Sequence, residues 1–190
     1  MVDFIRSSCE ELIKALTQTL LEDERVVAKI AEYVYAALAS GRKVLLCGNG
    51  GSAADCQHLA AEFVNRFRME RRPLPALALT TDTSILTAIA NDYSFSEVFE
   101  KQVQALGRPG DILVGISTSG RSENVLKALM AARKLKMVTV GFTGANGGEM
   151  DPLCNFLIRV RSKDTPRIQE VHIFLGHLIC DIVERKITGK

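Results

Sequence analysis

Lys43-Val-Leu-Leu-Cys-Gly-Asn-Gly-Gly-Ser-Ala-Ala-Asp-Cys-Gln-His58 carries three signals in succession. The apolar run Lys43–Cys47 reads as a short buried strand. Glycines follow, and a helix begins at Ser52, a natural N-cap residue. A strand, a glycine turn and a helix open a βαβ unit. The same order recurs downstream: Asp111-Ile-Leu-Val-Gly-Ile116 leads into Ser117-Thr-Ser-Gly-Arg-Ser122 and a second helix. Three further apolar runs, Pro75–Leu79, Met137–Phe142 and Phe156–Val160, complete a set of five strands, and a last helix spans about Pro166–Lys186. Strands rich in Val, Ile and Leu that alternate with helices predict an α/β fold, a five-stranded parallel sheet covered by helices on both faces.

Upstream, residues 2–20 and 24–40 each carry apolar residues at helical spacing, and Gly41 closes the second stretch. The chain thus divides into N-terminal helices over residues 1–40 and an α/β core over 41–190, with no internal linker or repeat, so one domain of 190 residues is expected. The N-terminal helices add apolar surface beyond the needs of the sheet, which predicts an oligomer.

Composition narrows the function. Apolar residues make up 47% and charged residues 24%, ordinary values for a globular protein. A net charge of +2 supplies no attraction to nucleic acid or to an anionic membrane. The longest apolar stretch, Val26–Ala39, is interrupted by Lys29 and Glu32, so no membrane span is expected. The N-terminus lacks the basic start and apolar block of a signal peptide. The five cysteines, Cys9, Cys47, Cys56, Cys154 and Cys180, are scattered without a CxxC pair. They read as reduced thiols of a cytoplasmic protein.

Both loops suit an anion. In Gly48-Asn49-Gly50-Gly51-Ser52, glycines allow the backbone close to a ligand, and the helix behind offers free N–H groups. The second loop sets four hydroxyls, Ser117, Thr118, Ser119 and Ser122, around one glycine. That is a dense donor set for a phosphate monoester. It is not a P-loop, because Gly-Lys-Ser/Thr is missing. Gly48-x-Gly50-x-x-Ala53 also fits the loose dinucleotide fingerprint, which needs an acidic residue after the second strand. Asp82 lies rather far along for that role, and the fingerprint does not call for a second hydroxyl-rich loop. No nucleotide cofactor is expected.

Behind the first loop, His58 and Glu62 are four apart and about 40° apart on one helix face. On the last helix Gln169 and His177 are eight apart, about 80° around the axis. A carboxylate beside an imidazole serves general acid–base chemistry near neutral pH. The same four side chains also make a donor set for a divalent metal. The alternatives are a surface ion pair for His58–Glu62 and a core histidine for His177. Nothing in the residues alone brings the two helices together.

Four segments resemble the sugar isomerase (SIS) domain family and, within it, the phosphoheptose isomerases: CGNGGSAADCQHLAAEFVNRF (47–67), LTTDTSILTAIANDYSFSEVFEKQVQALGRPGD (79–111), GISTSGRSENVLKAL (115–129) and TPRIQEVHIFLGHLICDIVE (165–184). The resemblance implies a three-layer αβα, flavodoxin-like sheet and a homotetramer with active sites between subunits. It implies interconversion of sedoheptulose 7-phosphate and D-glycero-D-manno-heptose 7-phosphate, the entry to bacterial heptose synthesis. It assigns Glu62 as base and His177 as its acid–base partner, and zinc to His58, Glu62, Gln169 and His177. Substrate contacts are implied for Asn49, Gly50, Gly51, Ser52, Glu62, Arg66, Asn91, Asp92, Ser117, Thr118, Ser119, Ser122 and Gln169. Arg121 stands where the family usually has Asn, and its side chain is expected to face water; Cys56 replaces a common Ala. Relatives that bind the bacterial replication initiator share the loops but typically lack the Glu at 62 and the His at 177. Sugar-phosphate sensors of the family are usually fused to a DNA-binding domain, and a third alternative is isomerisation of another sugar phosphate.

Overall fold

The computed structural model describes residues 1–190. Its elements are α1 (Val2–Ala39), β1 (Val44–Gly48), α2 (Gly51–Val64), β2 (Ala76–Ala78), α3 (Thr83–Asp92), α4 (Glu100–Leu106), β3 (Ile112–Ile116), α5 (Glu123–Lys134), β4 (Val138–Gly144), β5 (Phe156–Val160) and α6 (Thr165–Thr188). The five strands form one sheet in the order β2-β1-β3-β4-β5, and every pairing is parallel. The expected strands are all present, within one or two residues. β1 and β3 are buried along their whole length, as strands covered on both faces must be.

Two apolar layers sandwich the sheet. One joins α1, α2 and α6 through Ile30, Val34, Leu59, Phe63, Leu175 and Ile179. The other joins the opposite face to α4 and α5 through Val103, Val125 and Leu129. The strand order reverses direction at β1 and β3. In an open parallel sheet, that switch point is where the crevice for a ligand opens beyond the carboxyl ends of the strands. Gly48 pairs with Ile116 in register, so the glycine loop and the serine loop start side by side there.

The N-terminus corrects the sequence reading. There is one 38-residue helix in place of two. Its buried stripe runs Ala15, Thr19, Asp23, Val27, so steps of four continue through two polar residues. Those residues serve β5, an edge strand whose outer N–H groups lack a neighbouring strand. Asp23 accepts from the Arg159 N–H (3.2 Å), and Thr19 Oγ1 accepts from the Arg161 N–H (3.0 Å) while donating to the Ala15 carbonyl (2.7 Å). Apolar periodicity is lost where the helix caps a sheet edge, yet the helix is not. All five cysteines are free thiols.

His172 on α6 is a core histidine. It is 1% exposed, its Nε2 lies 3.2 Å from the Thr143 carbonyl, and burial lowers its pKa to about 4 despite that hydrogen bond. The unfolded chain binds this proton near pH 6.5, whereas the fold resists it until about pH 4. Stability therefore falls as pH drops from 6.5 toward 4, by up to roughly 3 kcal/mol from this group. Urea unfolding across that range is expected to show the slope, and His172→Leu is expected to flatten it. An unchanged slope in the variant would assign it elsewhere.

Candidate active site

The glycine loop meets α2 differently from the expectation. The N-cap is Gly50, with φ at +56°, and Ser52 sits inside the first turn, buried and without a capping bond. The loop is closed from above by α6. A β-carbon on Gly51 would lie 2.5 Å from Gln169 Nε2, so the Gln169 amide occupies the space that only a glycine leaves free. From the other side, Asn49 and Asn124 exchange two amide hydrogen bonds, at 2.9 and 2.8 Å. Asn124 is buried in the first turn of α5 and ties the two loops together. Sequence reading passed over it; its position two residues after Ser122, in an otherwise apolar helix face, was the available signal.

In the second loop the hydroxyls converge. Ser117 Oγ lies 2.8 Å from Ser122 Oγ and 3.4 Å from Ser119 Oγ, and Ser119 Oγ accepts from the Arg121 N–H (3.2 Å). Both loops end in helix N-termini, where the backbone carries a partial positive charge. A cleft of about 310 Å³ opens on the β4 side of this loop, lined by Thr118, Ser119 and Lys163 among others. A second, beside Asn49, Ser122 and Asn124, holds about 480 Å³ and lies over the switch point. The latter cleft touches both loops and is the one that fits a ligand held by both.

Asp82, the candidate for a dinucleotide ribose, is otherwise employed: its carboxylate accepts the Ile85 N–H (2.9 Å) as the N-cap of α3.

The two helices that no residue pattern could join do meet. His58 Nε2 lies 2.7 Å from His177 Nε2 and 3.4 Å from Glu62 Oε1, and the imidazoles pack edge to face at 4.9 Å. Ligating atoms of the three side chains all fall within 4.8 Å of one another. Two imidazole nitrogens and a carboxylate oxygen converging on one point fit a zinc-type ion. Gln169 stands eight residues back on α6, about 12 Å along the axis, with its amide at Gly51. Burial lowers the His177 pKa, helped by His58 and Arg68 and opposed by Glu62, so the ring favours its neutral, ligating form. The Phe67 ring packs on it at 5.4 Å.

Arg66, Asn91 and Asp92 stand apart. All three are exposed; Arg66 lies 3.8 Å from Glu70, and the Asn91 amide donates to Asp92 (2.9 Å). No hydrogen bond joins them to the His/Glu cluster within one chain. Arg121 is exposed and lines the β4-side cleft.

A family model described as SIS domain matches residues 8–144. The phosphoheptose isomerase of Maridesulfovibrio salexigens is 62% identical over 160 residues, 84% of this chain and 78% of that protein. That of Clostridium acetobutylicum is 50% identical over 192 residues, covering 100% of this chain and 98% of its own. The solved structure of a phosphoheptose isomerase from Francisella tularensis superposes with a TM-score of 0.93 at 42% identity, over 97% of this chain and 98% of that one. Sheet order, paired loops and family match define the class, a SIS domain protein. Within that class the chain belongs to the phosphoheptose isomerases, and it is an isomerase.

Gly51→Ala forces a methyl group into Gln169, and such overpacking costs about 1–3 kcal/mol. Binding of a sugar phosphate is expected to weaken about tenfold or more, which corresponds to roughly 1.4 kcal/mol. Unchanged affinity in calorimetry would separate the Gly51–Gln169 contact from the ligand site.

Proposed function

We propose that this chain interconverts sedoheptulose 7-phosphate and D-glycero-D-manno-heptose 7-phosphate through an enediol, with Glu62 and His177 as the acid–base pair. The observation that carries this reading is the convergence of Glu62 and His177 in a protein whose two loops supply hydroxyl and backbone donors for a phosphate. Ketose and aldose differ by the position of one carbon-bound proton and by which oxygen is the carbonyl. Glu62 removes a proton from the ketose carbon next to the carbonyl, giving the enediol, and returns it to the neighbouring carbon. His177 delivers and withdraws the protons of the two oxygens. Ser117, Thr118, Ser119 and Ser122 hold the phosphate with Asn49, Gly50, Gly51 and Ser52. They anchor the substrate far from the reacting carbons, so their contribution is orientation.

His58, Glu62 and His177 would hold zinc, with Gln169 as the further ligand the family resemblance implies. A zinc ion held there would supply Lewis-acid polarisation of the sugar carbonyl and stabilisation of negative charge on its oxygen. The rest of the chemistry belongs to the side chains.

The assembly in this proposal is a homotetramer with sites between subunits. Two features support it: α3 has no buried residue, and Ile85, Tyr93 and Phe95 are exposed beside Asn91 and Asp92. A neighbouring subunit would cover this surface and bring the detached residues to a site. Residues 1–190 act in it as one domain. No helix is long and apolar enough to cross a membrane, and the free thiols support a cytoplasmic setting. Neither a nucleotide cofactor nor nucleic acid has a role in this reading.

Glu62→Gln keeps the shape of the side chain and removes the base. Turnover of sedoheptulose 7-phosphate is expected to fall about 10²-fold or more with an unchanged circular dichroism spectrum. Near-normal turnover would exclude the role given to Glu62.

A further inference from the structure

Glu184 is a wholly buried carboxylate that the chemistry above does not use. It lies on α6 seven residues beyond His177, about two turns along and within about 20° of the same helix face. Its oxygens accept the backbone N–H groups of Phe67 (2.8 Å), Arg68 (2.6 Å) and Met69 (2.8 Å), and Arg71 Nε lies 3.1 Å away. Burial pushes the carboxyl pKa up, but the three N–H bonds and the guanidinium outweigh it and hold the group below its usual range.

Arg71 has a second set of partners. Its side chain is 3% exposed. Nη2 donates to the Glu62 carbonyl (2.7 Å), and Nη1 donates to the carbonyls of Phe63 (2.9 Å) and Asn65 (3.0 Å). The Glu62 and Phe63 carbonyls lie in the last turn of α2, where no intrahelical N–H is left to pair with them, and one of them belongs to the proposed base itself. The segment pinned by Glu184 also carries Phe67, whose ring packs on His177.

We propose that the buried Arg71–Glu184 pair is a positioning clamp that sets Glu62 on α2 against His177 on α6, and with them the geometry of the metal-binding trio. One ion pair reaches both halves of the site: through Arg71 to the Glu62 backbone, and through the Phe67 segment to the His177 ring. The turnover part of the proposal rests on the isomerase reading; the metal part does not.

Asp111 supplies the control. It is also a buried carboxylate with three partners, accepting from the N–H groups of Lys43 (3.1 Å) and Arg108 (2.8 Å) and pairing with Lys43 Nζ (2.5 Å). It precedes β3, at the end of the sheet opposite the loops. The experiment compares Glu184→Gln, Arg71→Lys and Asp111→Asn by urea midpoint, kcat and KM for sedoheptulose 7-phosphate, and zinc affinity in competition with a chromogenic chelator. Loss of an outer partner of a metal site typically weakens metal or activity by about 10–100-fold. Both clamp variants are expected to lose about 10-fold or more in kcat and in zinc affinity, with KM changed less than about threefold. Asp111→Asn, at a similar loss in urea midpoint, is expected to keep both within about threefold. If Glu184→Gln does not fold, Arg71→Lys against Asp111→Asn decides by the same criteria. Wild-type kcat and zinc affinity in the clamp variants, or equal losses in Asp111→Asn, would overturn the proposal. A wild-type protein that binds zinc without turning over the sugar phosphate would defeat the isomerase reading and leave zinc affinity to decide the clamp. One that does neither overturns both.

Discussion

α2 and α6 touch at Leu59 and Gly176, and the geometry of the site depends on how close that contact is. A β-carbon on Gly176 would sit 2.7 Å from both methyl groups of Leu59. Glycine inside a helix costs about 0.5–1 kcal/mol relative to alanine, and here the helix tolerates it one residue before His177. Leu59 is the residue after His58. The missing side chain lets the helix backbones approach until the two imidazole nitrogens stand 2.7 Å apart. Alanine at this point would displace the Leu59 side chain from the helix contact, next to His58.

The other half of the site follows from strand order. Because β1 and β3 are neighbours at the switch point, the two loops leave the sheet together and each feeds a helix N-terminus. In the proposed reading, anion recognition rests on hydroxyls, backbone N–H groups and helix dipoles rather than on a cluster of lysine and arginine. That agrees with a chain whose net charge is only +2. The Asn49–Asn124 exchange holds the loops in register, and Gln169 seals the glycine loop from the α6 side. α6 therefore serves both ends: its first turns close the glycine loop, its middle carries His177, and its last turns carry Glu184.

Most of the fold was legible because burial on both faces leaves strands as continuous apolar runs, and glycine and serine mark the turns between them. The single long α1 was not legible as such. Its buried stripe passes through Thr19 and Asp23, which cap the β5 edge, and apolar spacing cannot distinguish a polar capping residue from a helix break. In the site, the His58–Glu62 spacing was readable from one helix, as was the hydroxyl cluster from one loop. The meeting of His58 with His177 was not, because it depends on a tertiary contact across 119 residues. The resemblance to a known family supplied that link. Asn124 left only its place in an otherwise apolar helix face, and the Arg71–Glu184 pair left no sequence mark, since buried polar residues are recognised by their partners and those partners are distant along the chain.

The central claim is that a carboxylate on α2, facing an imidazole on α6, moves a proton between adjacent sugar carbons. It is tested most directly by running the reaction to equilibrium in deuterium oxide and reading the recovered sugar phosphates by proton NMR. Transfer through Glu62 predicts deuterium accumulating on the two carbons that exchange the carbonyl and nowhere else along the chain. Full retention of protium at both carbons after many turnovers would mean that hydrogen never passes through an exchangeable carboxyl group, and would contradict the account.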